Sequence, residues 1–311
     1  MKIINPEVKL LKQIDYGYEL DDKSTQEDIS NIQNILFKNI LDHIENCNTN
    51  CFNYDLKESV QQKNNIDILE HGSVYLTVPI SKPNPENTED YMNRMKIVNF
   101  YQNNSESVVK GYKSDEEGVL YVYFITTNYR VIVENDRHSD LVFLFNKSEY
   151  HAKRTTFFIT TNLFTAREIS NIKYLSVSIG KPIIENDDII ITSHSFEENS
   201  EIKNSWINSC KDSYRIYNEL INSGVKSSSA YKILPETVAV NSIVTIFEDD
   251  FERLFKTLEV NKDIDYNDII HMILYDHDND IINTEKSYEM EKENSEESPI
   301  EETRGDAGVL E

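Results

Sequence analysis

Glycine is scarce in this chain, eight residues in 311, and no cluster of them builds a phosphate-cradling loop. A Gly-rich loop lets backbone N–H groups approach a phosphate closely, so that route to nucleotide binding is closed. Gly-x-Ser-x-Gly is missing as well, which removes the nucleophile elbow of a serine hydrolase. Cysteine is sparse and odd in number: Cys47, Cys51 and Cys210 supply no disulfide framework and fit a reducing compartment. No apolar run approaches the roughly 20 residues of a membrane helix. Met1 leads into the strand-like Val8–Leu11 without the basic stretch and apolar core of a signal peptide. These absences predict a soluble cytoplasmic protein. Abundant Asn, Ile and Lys point to an AT-rich genome, which suits a low-GC bacterium or a phage-infected host.

Positive charge is the deficit that matters most. Lys and Arg number 31 against 55 Asp and Glu, a formal charge of −24. Glu285 to Glu311 holds ten acidic and three basic residues, so 7 of those negative charges lie there and 17 on the body. Nucleic-acid binding draws most of its affinity from Lys and Arg against phosphates, so neither DNA nor RNA is an expected partner. Any anionic ligand would need a locally basic pocket. What the chain does have is material for a core: 39% hydrophobic residues, with 18 Tyr and 13 Phe. That is enough for one large domain.

Periodicity sets out the elements. Thr25 is placed to cap a helix running to about Cys47, with Ile29, Ile32, Leu36, Ile40 and Ile44 recurring at three- and four-residue steps. A shorter helix is expected over Tyr54–Gln62. Val74, Leu76 and Val78 then alternate as one face of a strand. Pro83 and Pro85 end it and open a polar stretch through Ser114. Three strands are expected next, at Val119–Thr126, Tyr129–Val133 and Leu141–Phe145. A β-branched and aromatic strand at Thr155–Thr160 leads to a helix from Thr165 to Ile172. A strand near Ile189–Thr192, a long helix Ser205–Ile221 stopped by Gly224, and a strand Val238–Phe247 follow. Phe251–Leu258 and Asp268–Tyr275 read as helices. From Thr284 the composition turns Glu- and Ser-rich, which reads as a disordered acidic tail over 284–311.

Four pieces in order carry a family resemblance: Met1–Lys2–Ile3–Ile4–Asn5–Pro6, Ile68–Leu69–Glu70–His71–Gly72–Ser73–Val74–Tyr75–Leu76–Thr77, Phe157–Phe158–Ile159–Thr160–Thr161–Asn162, and Ala230–Tyr231–Lys232–Ile233–Leu234–Pro235. By their order and spacing the chain resembles the flavin-dependent thymidylate synthases, also called thymidylate synthase complementing proteins. The resemblance implies an α/β (α+β) fold, a mostly antiparallel sheet packed with helices. It spans a domain over 1–283, with a β-rich insertion at 80–153 that Glu149–Tyr150–His151–Ala152–Lys153–Arg154 closes. It further implies conversion of dUMP to dTMP with methylenetetrahydrofolate, FAD and NADPH, in a homotetramer whose active sites form between subunits.

The motif that does this chemistry is degraded here. The family carries Arg-His-Arg followed by seven residues and a Ser. Asn171, Ile172 and Lys173 stand in the first three places and Lys181 in the last, so no catalytic set is intact. What the resemblance leaves for cofactor binding is Glu70, His71 and Lys173, and for substrate Glu168, Ser176, Lys181 and Lys232. The Arg that would grip the dUMP phosphate appears as Lys232, and the Asn of Thr-x-Asn as Phe247 after Thr245. Arg offers a planar bidentate fork that Lys lacks. Losing one charged hydrogen bond costs about 1.5–3 kcal/mol. Four or five such losses would weaken anion binding by several powers of ten. The expectation is therefore a diverged, non-catalytic structural or regulatory homologue, with FAD as the family cofactor and none retained. A protein partner would be engaged through the insertion or the acidic tail. The open alternative is an active or altered flavoenzyme in which Lys173, Lys181 and Lys232 replace the lost cations.

Other chemistry has little support. His43, Cys47 and Cys51 lack the ligand count and tight Cys-x-x-Cys arm of a zinc site. Asp276–His277–Asp278–Asn279–Asp280 starts like a calcium loop but lacks the Gly at its sixth position and has Ser287 at the twelfth. Asp136–Arg137–His138 reads as a charged hairpin loop. No metal is expected.

Overall fold

Every residue of one central strand, Ala239–Phe247, is buried, and the rest of the molecule is arranged around it. The computed structural model describes residues 1–11, 15–16, 70–145, 147–185, 188–192, 200–258, 260–261 and 263–278. The expected helices at Thr25–Cys47 and Tyr54–Gln62, the His43–Cys47–Cys51 group and the acidic tail all lie outside the described residues.

In chain order the strands are β1 (Lys2–Ile4), β2 (Glu7–Leu11), β3 (Asp15–Tyr16), β4 (Ser73–Ser81), β5 (Val108–Lys113), β6 (Val119–Asn128), β7 (Arg154–Asn162), β8 (Ser176–Pro182), β9 (Ile184–Glu185), β10 (Asp188–Thr192) and β11 (Ala239–Phe247). The helices are α1 (Thr88–Gln102), α2 (Tyr129–Glu134), α3 (Leu163–Ser170), α4 (Ser200–Asn222), α5 (Ser227–Ala230), α6 (Phe251–Thr257) and α7 (264–278). An antiparallel sheet runs β2-β7-β11-β8, and a second runs β3-β4-β6-β5 with only its β3–β4 pair parallel. A small sheet, β1-β10-β9, completes the set.

The β7–β11 ladder is paired without a break from Ala239 opposite Asn162 to Phe247 opposite Arg154. Side chains along a strand alternate between faces, so this sheet presents two different surfaces. Phe157, Ile159, Val244 and Ile246 face a cluster with Ile169 of α3, Phe251 and Leu254 of α6, and Ile269, Ile270 and Ile273 of α7. The opposite face meets the second sheet. There Phe158 and Ile243 join Val74, Leu76, Val78 and Ile80 of β4, Ile125 of β6, and Val98 and Tyr101 of α1. That inner face also carries hydroxyls and an amide, which satisfy one another across the ladder. Thr160 Oγ1 donates to Asn241 Oδ1 at 2.7 Å, and Thr156 Oγ1 lies 2.8 Å from Thr245 Oγ1. A third cluster holds α4 and α5, where the rings of Tyr214, Tyr217 and Tyr231 stack in sequence.

The fold is a mixed α+β arrangement of antiparallel sheets packed by helices, as the sequence led us to expect. Four local readings are corrected. The polar stretch after Pro83 and Pro85 holds α1 and β5; α1 buries only Val98 and Tyr101, so it has almost no apolar stripe to read. The expected strand Tyr129–Val133 is helix α2, started by Asn128, whose side-chain oxygen accepts from the Val131 N–H at 3.0 Å. Capping and packing override β-branched propensity there. The expected strand Leu141–Phe145 is mostly a 3-10 turn, His138–Phe143. Buried Asp140 fixes it by accepting from Arg137 Nε at 2.7 Å and from the Tyr101 hydroxyl at 3.1 Å. The segment Ser176–Pro182, where the sequence offers only the end of the degraded motif, is strand β8. Segment 80–153 therefore mixes β5 and β6, which extend the sheet of β4, with two helices.

Arg137 of the Asp136–Arg137–His138 loop points inward, over the Phe100 ring at 4.4 Å. Asp136 there has φ of 53°, a left-handed position that Asp tolerates better than most residues. Helix α7 runs through Asp276 to 278, so the start of the calcium-like segment is helical. Among the described residues, no group of His, Cys, Asp and Glu could hold a metal, and no helix is long and apolar enough to cross a membrane.

Candidate functional site

The two larger sheets meet at one end in an open cleft of about 170 Å³. Its floor is made where β7 and β8 begin and β11 ends, by Arg154, Ser176, Thr245 and Phe247. One wall is Glu70 before β4 and Asn128 at the end of β6, with Ser105 and Glu106 from the α1–β5 turn. The other wall is Lys173, Tyr174 and Leu175 after α3, with Asp250 just before α6 and Arg253 in its first turn.

Arg154 is the most consequential of these groups. It is 2% exposed, yet its guanidinium lines the cleft. Nη2 donates to the Glu70 carbonyl at 2.7 Å, with longer contacts of 3.4 Å to the hydroxyls of Ser73 and Ser176. The Phe247 ring lies beneath it, 5.3 Å from centroid to guanidinium carbon. Burial pulls its pKa down to about 10, against the opposing influence of Tyr75 and Glu106. It stays a cation at any neutral pH.

The carboxylates have defined neighbours. Glu70 is ion-paired with Arg130, which also reaches Glu134 at 2.9 Å. Glu106 accepts from Asn128 Nδ2 at 2.9 Å, while its backbone N–H donates to Asn104 Oδ1. Asp250 accepts from Arg253 at 2.6 Å, and that guanidinium lies 4.2 Å from the Tyr174 ring centre. Three cations, Arg154, Lys173 and Arg253, thus share the cleft with three carboxylates, Glu70, Glu106 and Asp250.

His71 lies under the floor, not in the cleft. Its Nδ1 is 2.9 Å from Thr245 Oγ1 and its Nε2 2.9 Å from Ser178 Oγ. Burial, helped by the nearby Arg154 charge, pushes its pKa down to about 3. A neutral ring locked between two hydroxyls packs the sheet interface and does not take up protons at physiological pH.

The structure divides the residues singled out by sequence. Glu70, Lys173 and Ser176 line the cleft, and His71 supports it through Thr245. Glu168 turns the other way: its charge is felt by the Tyr266 phenol on α7. Asn171 ends α3, and Ile172 packs into the apolar cluster behind the sheet. Lys181 lies exposed at the far end of β8, and Lys232 lies exposed in the turn after α5; neither lines the cleft. Sequence reading missed Arg154, Arg253, Glu106 and Asp250 as cleft residues. The available signal was Arg154 itself, an arginine at the head of a strand of β-branched and aromatic residues.

No protein-family model matches the chain, and no curated protein matches it. Among solved structures, the UMP/dUMP methylase PolB from Streptomyces cacaoi bound with 5-Br dUMP is similar over 32% of this chain and 50% of that one, at 14% identity and a TM-score of 0.28. The same methylase bound with 5-Br UMP is similar over 32% and 52%, at 13% identity and a TM-score of 0.28. The chain spans about half the length of that methylase. An overlap that partial leaves function to be argued from this chain's own residues.

Proposed function

We propose that this chain is a diverged relative of the flavin-dependent thymidylate synthases, a ligand-binding structural or regulatory protein that no longer converts dUMP to dTMP. The observation that carries the reading is the charge balance of the cleft. Arg154, Lys173 and Arg253 are matched by Glu70, Glu106 and Asp250, with Glu70 and Asp250 already in ion pairs. Nucleotide, flavin and folate are all anions, and a site balanced in this way offers them little net attraction. His71 adds no titratable group for proton transfer, being neutral and enclosed by hydroxyls. The same reading takes the chain as a homo-oligomer that meets a protein through segment 80–153 or the tail. Light scattering and co-purification before and after truncation at Thr284 test those two points.

A second reading is favoured by one observation: two guanidiniums, Arg154 and Arg253, reach the cleft from outside the degraded motif. They would let an altered flavoenzyme hold a nucleotide by a new route. Thermal melting of the purified full chain with FAD and with dUMP, together with a dTMP formation assay, separates the two. The first reading expects a colourless protein, no ligand shift and no product. A yellow protein that forms dTMP overturns it. A specific ligand raises the melting temperature by mass action, so tight binding would not be missed.

A further inference from the structure

We propose that the cleft binds a small zwitterion, with its anionic group held by Arg154 and Lys173 and its ammonium held by Glu106. This deepens the reading above and rests on it. Taking a guanidinium out of water is costly, and hydrocarbon of similar volume would serve packing at least as well. Arg154 is nonetheless kept in the cleft floor, 2% exposed, oriented by the Glu70 carbonyl and stacked on Phe247. Lys173 is exposed at the rim, on the wall that follows α3.

The opposite lip is built with equal care. The Asn128 amide holds one Glu106 oxygen, and the Glu106 N–H is tied to Asn104, so the carboxylate is fixed before any ligand arrives. Glu106 is close enough to stabilise the Arg154 charge. A ligand carrying both signs satisfies both ends, whereas a dianion is attracted by one and repelled by the other. A volume of about 170 Å³ admits only a small molecule of a few heavy atoms, and a lining dominated by polar groups selects by charge pattern more than by apolar shape.

Two sources share this chemistry, a phosphate ester bearing an amine and an amino acid. Calorimetry on the full chain distinguishes them with phosphoethanolamine and γ-aminobutyrate, beside inorganic phosphate and ethylammonium as half-ligands. At least one zwitterion should bind about tenfold or more tighter than either half. Lys173→Gln and Glu106→Gln, both at the accessible rim, should each weaken it about tenfold. Both variants keep the Arg154 side chain itself, and circular dichroism checks that each is folded before its affinity is compared. The proposal is overturned if no zwitterion binds, if phosphate alone binds as tightly, or if Glu106→Gln leaves affinity unchanged or raises it. FAD or dUMP binding with dTMP formation would instead sink the loss of the parent reaction. Zwitterion failure in a protein that also ignores FAD sinks this inference alone.

Discussion

Acidification should find His71 first. In the native chain burial and Arg154 hold its pKa near 3, while an unfolded chain has the ordinary 6.5. The native ring is neutral and bridges Thr245 and Ser178. Between those two values the unfolded state takes up a proton that the native state refuses, so stability is full above pH 6.5 and falls as pH drops towards 3. That displacement corresponds to about 5 kcal/mol in all, with about 2 kcal/mol lost between pH 7 and pH 5. For a domain of this size that is roughly 4–8 °C in Tm. His71→Gln keeps hydrogen-bonding capacity without the titration. The measurement is Tm at pH 7 and pH 5 for both proteins. Carboxyls raised by burial, Asp140 and Asp276, are present in both and cancel in the comparison. The native chain should lose about 2 kcal/mol more than the variant over that interval. Equal losses would refute the buried, neutral histidine.

Three further perturbations test the packing around the site. Asn162→Ala removes the cap of α3, where its Oδ1 accepts from the Thr165 N–H at 2.7 Å, and its bond to Asp265 of α7 at 3.0 Å. Urea unfolding should show a loss of about 2 kcal/mol or more, and less than about 0.5 kcal/mol would mean the tie is idle. Gly111→Ala would place a Cβ 2.7 Å from the Tyr123 ring, costing about 1–3 kcal/mol by overpacking; adding Tyr123→Leu should recover most of that, and failure to recover would locate the strain elsewhere. Tyr101→Phe deletes the hydroxyl that Asp140 accepts from. Denaturation should register about 1–2 kcal/mol, and no change would show that Arg137 alone satisfies the carboxylate.

The sequence was legible where pattern and packing agree. β7, β11 and α4 carry dense apolar or β-branched runs, and each formed within a few residues of its expected bounds. α1 was illegible because its buried contacts come to two residues, and α2 because a run of Tyr, Ile and Val took helical form once Asn128 capped it. For the site, motif alignment found Glu70, Lys173 and Ser176, which lie near the strand starts that shape the cleft. It could not find Arg154 or Glu106, because their convergence depends on the way one sheet crosses the other. Lys181 and Lys232 carried the right charge in the right order but lie off the cleft. Charge identity is written in the chain; direction is not.

Arg154 sits opposite Phe247 on the terminal rung of the β7–β11 ladder. Because side chains in a strand point alternately up and down, a slip of one residue would swing the guanidinium out of the pocket and bring Thr155 in its place. Recognition here is therefore indexed by strand alignment: a substitution at the remote Asn162 end that loosened pairing could silence the pocket without altering any residue that lines it.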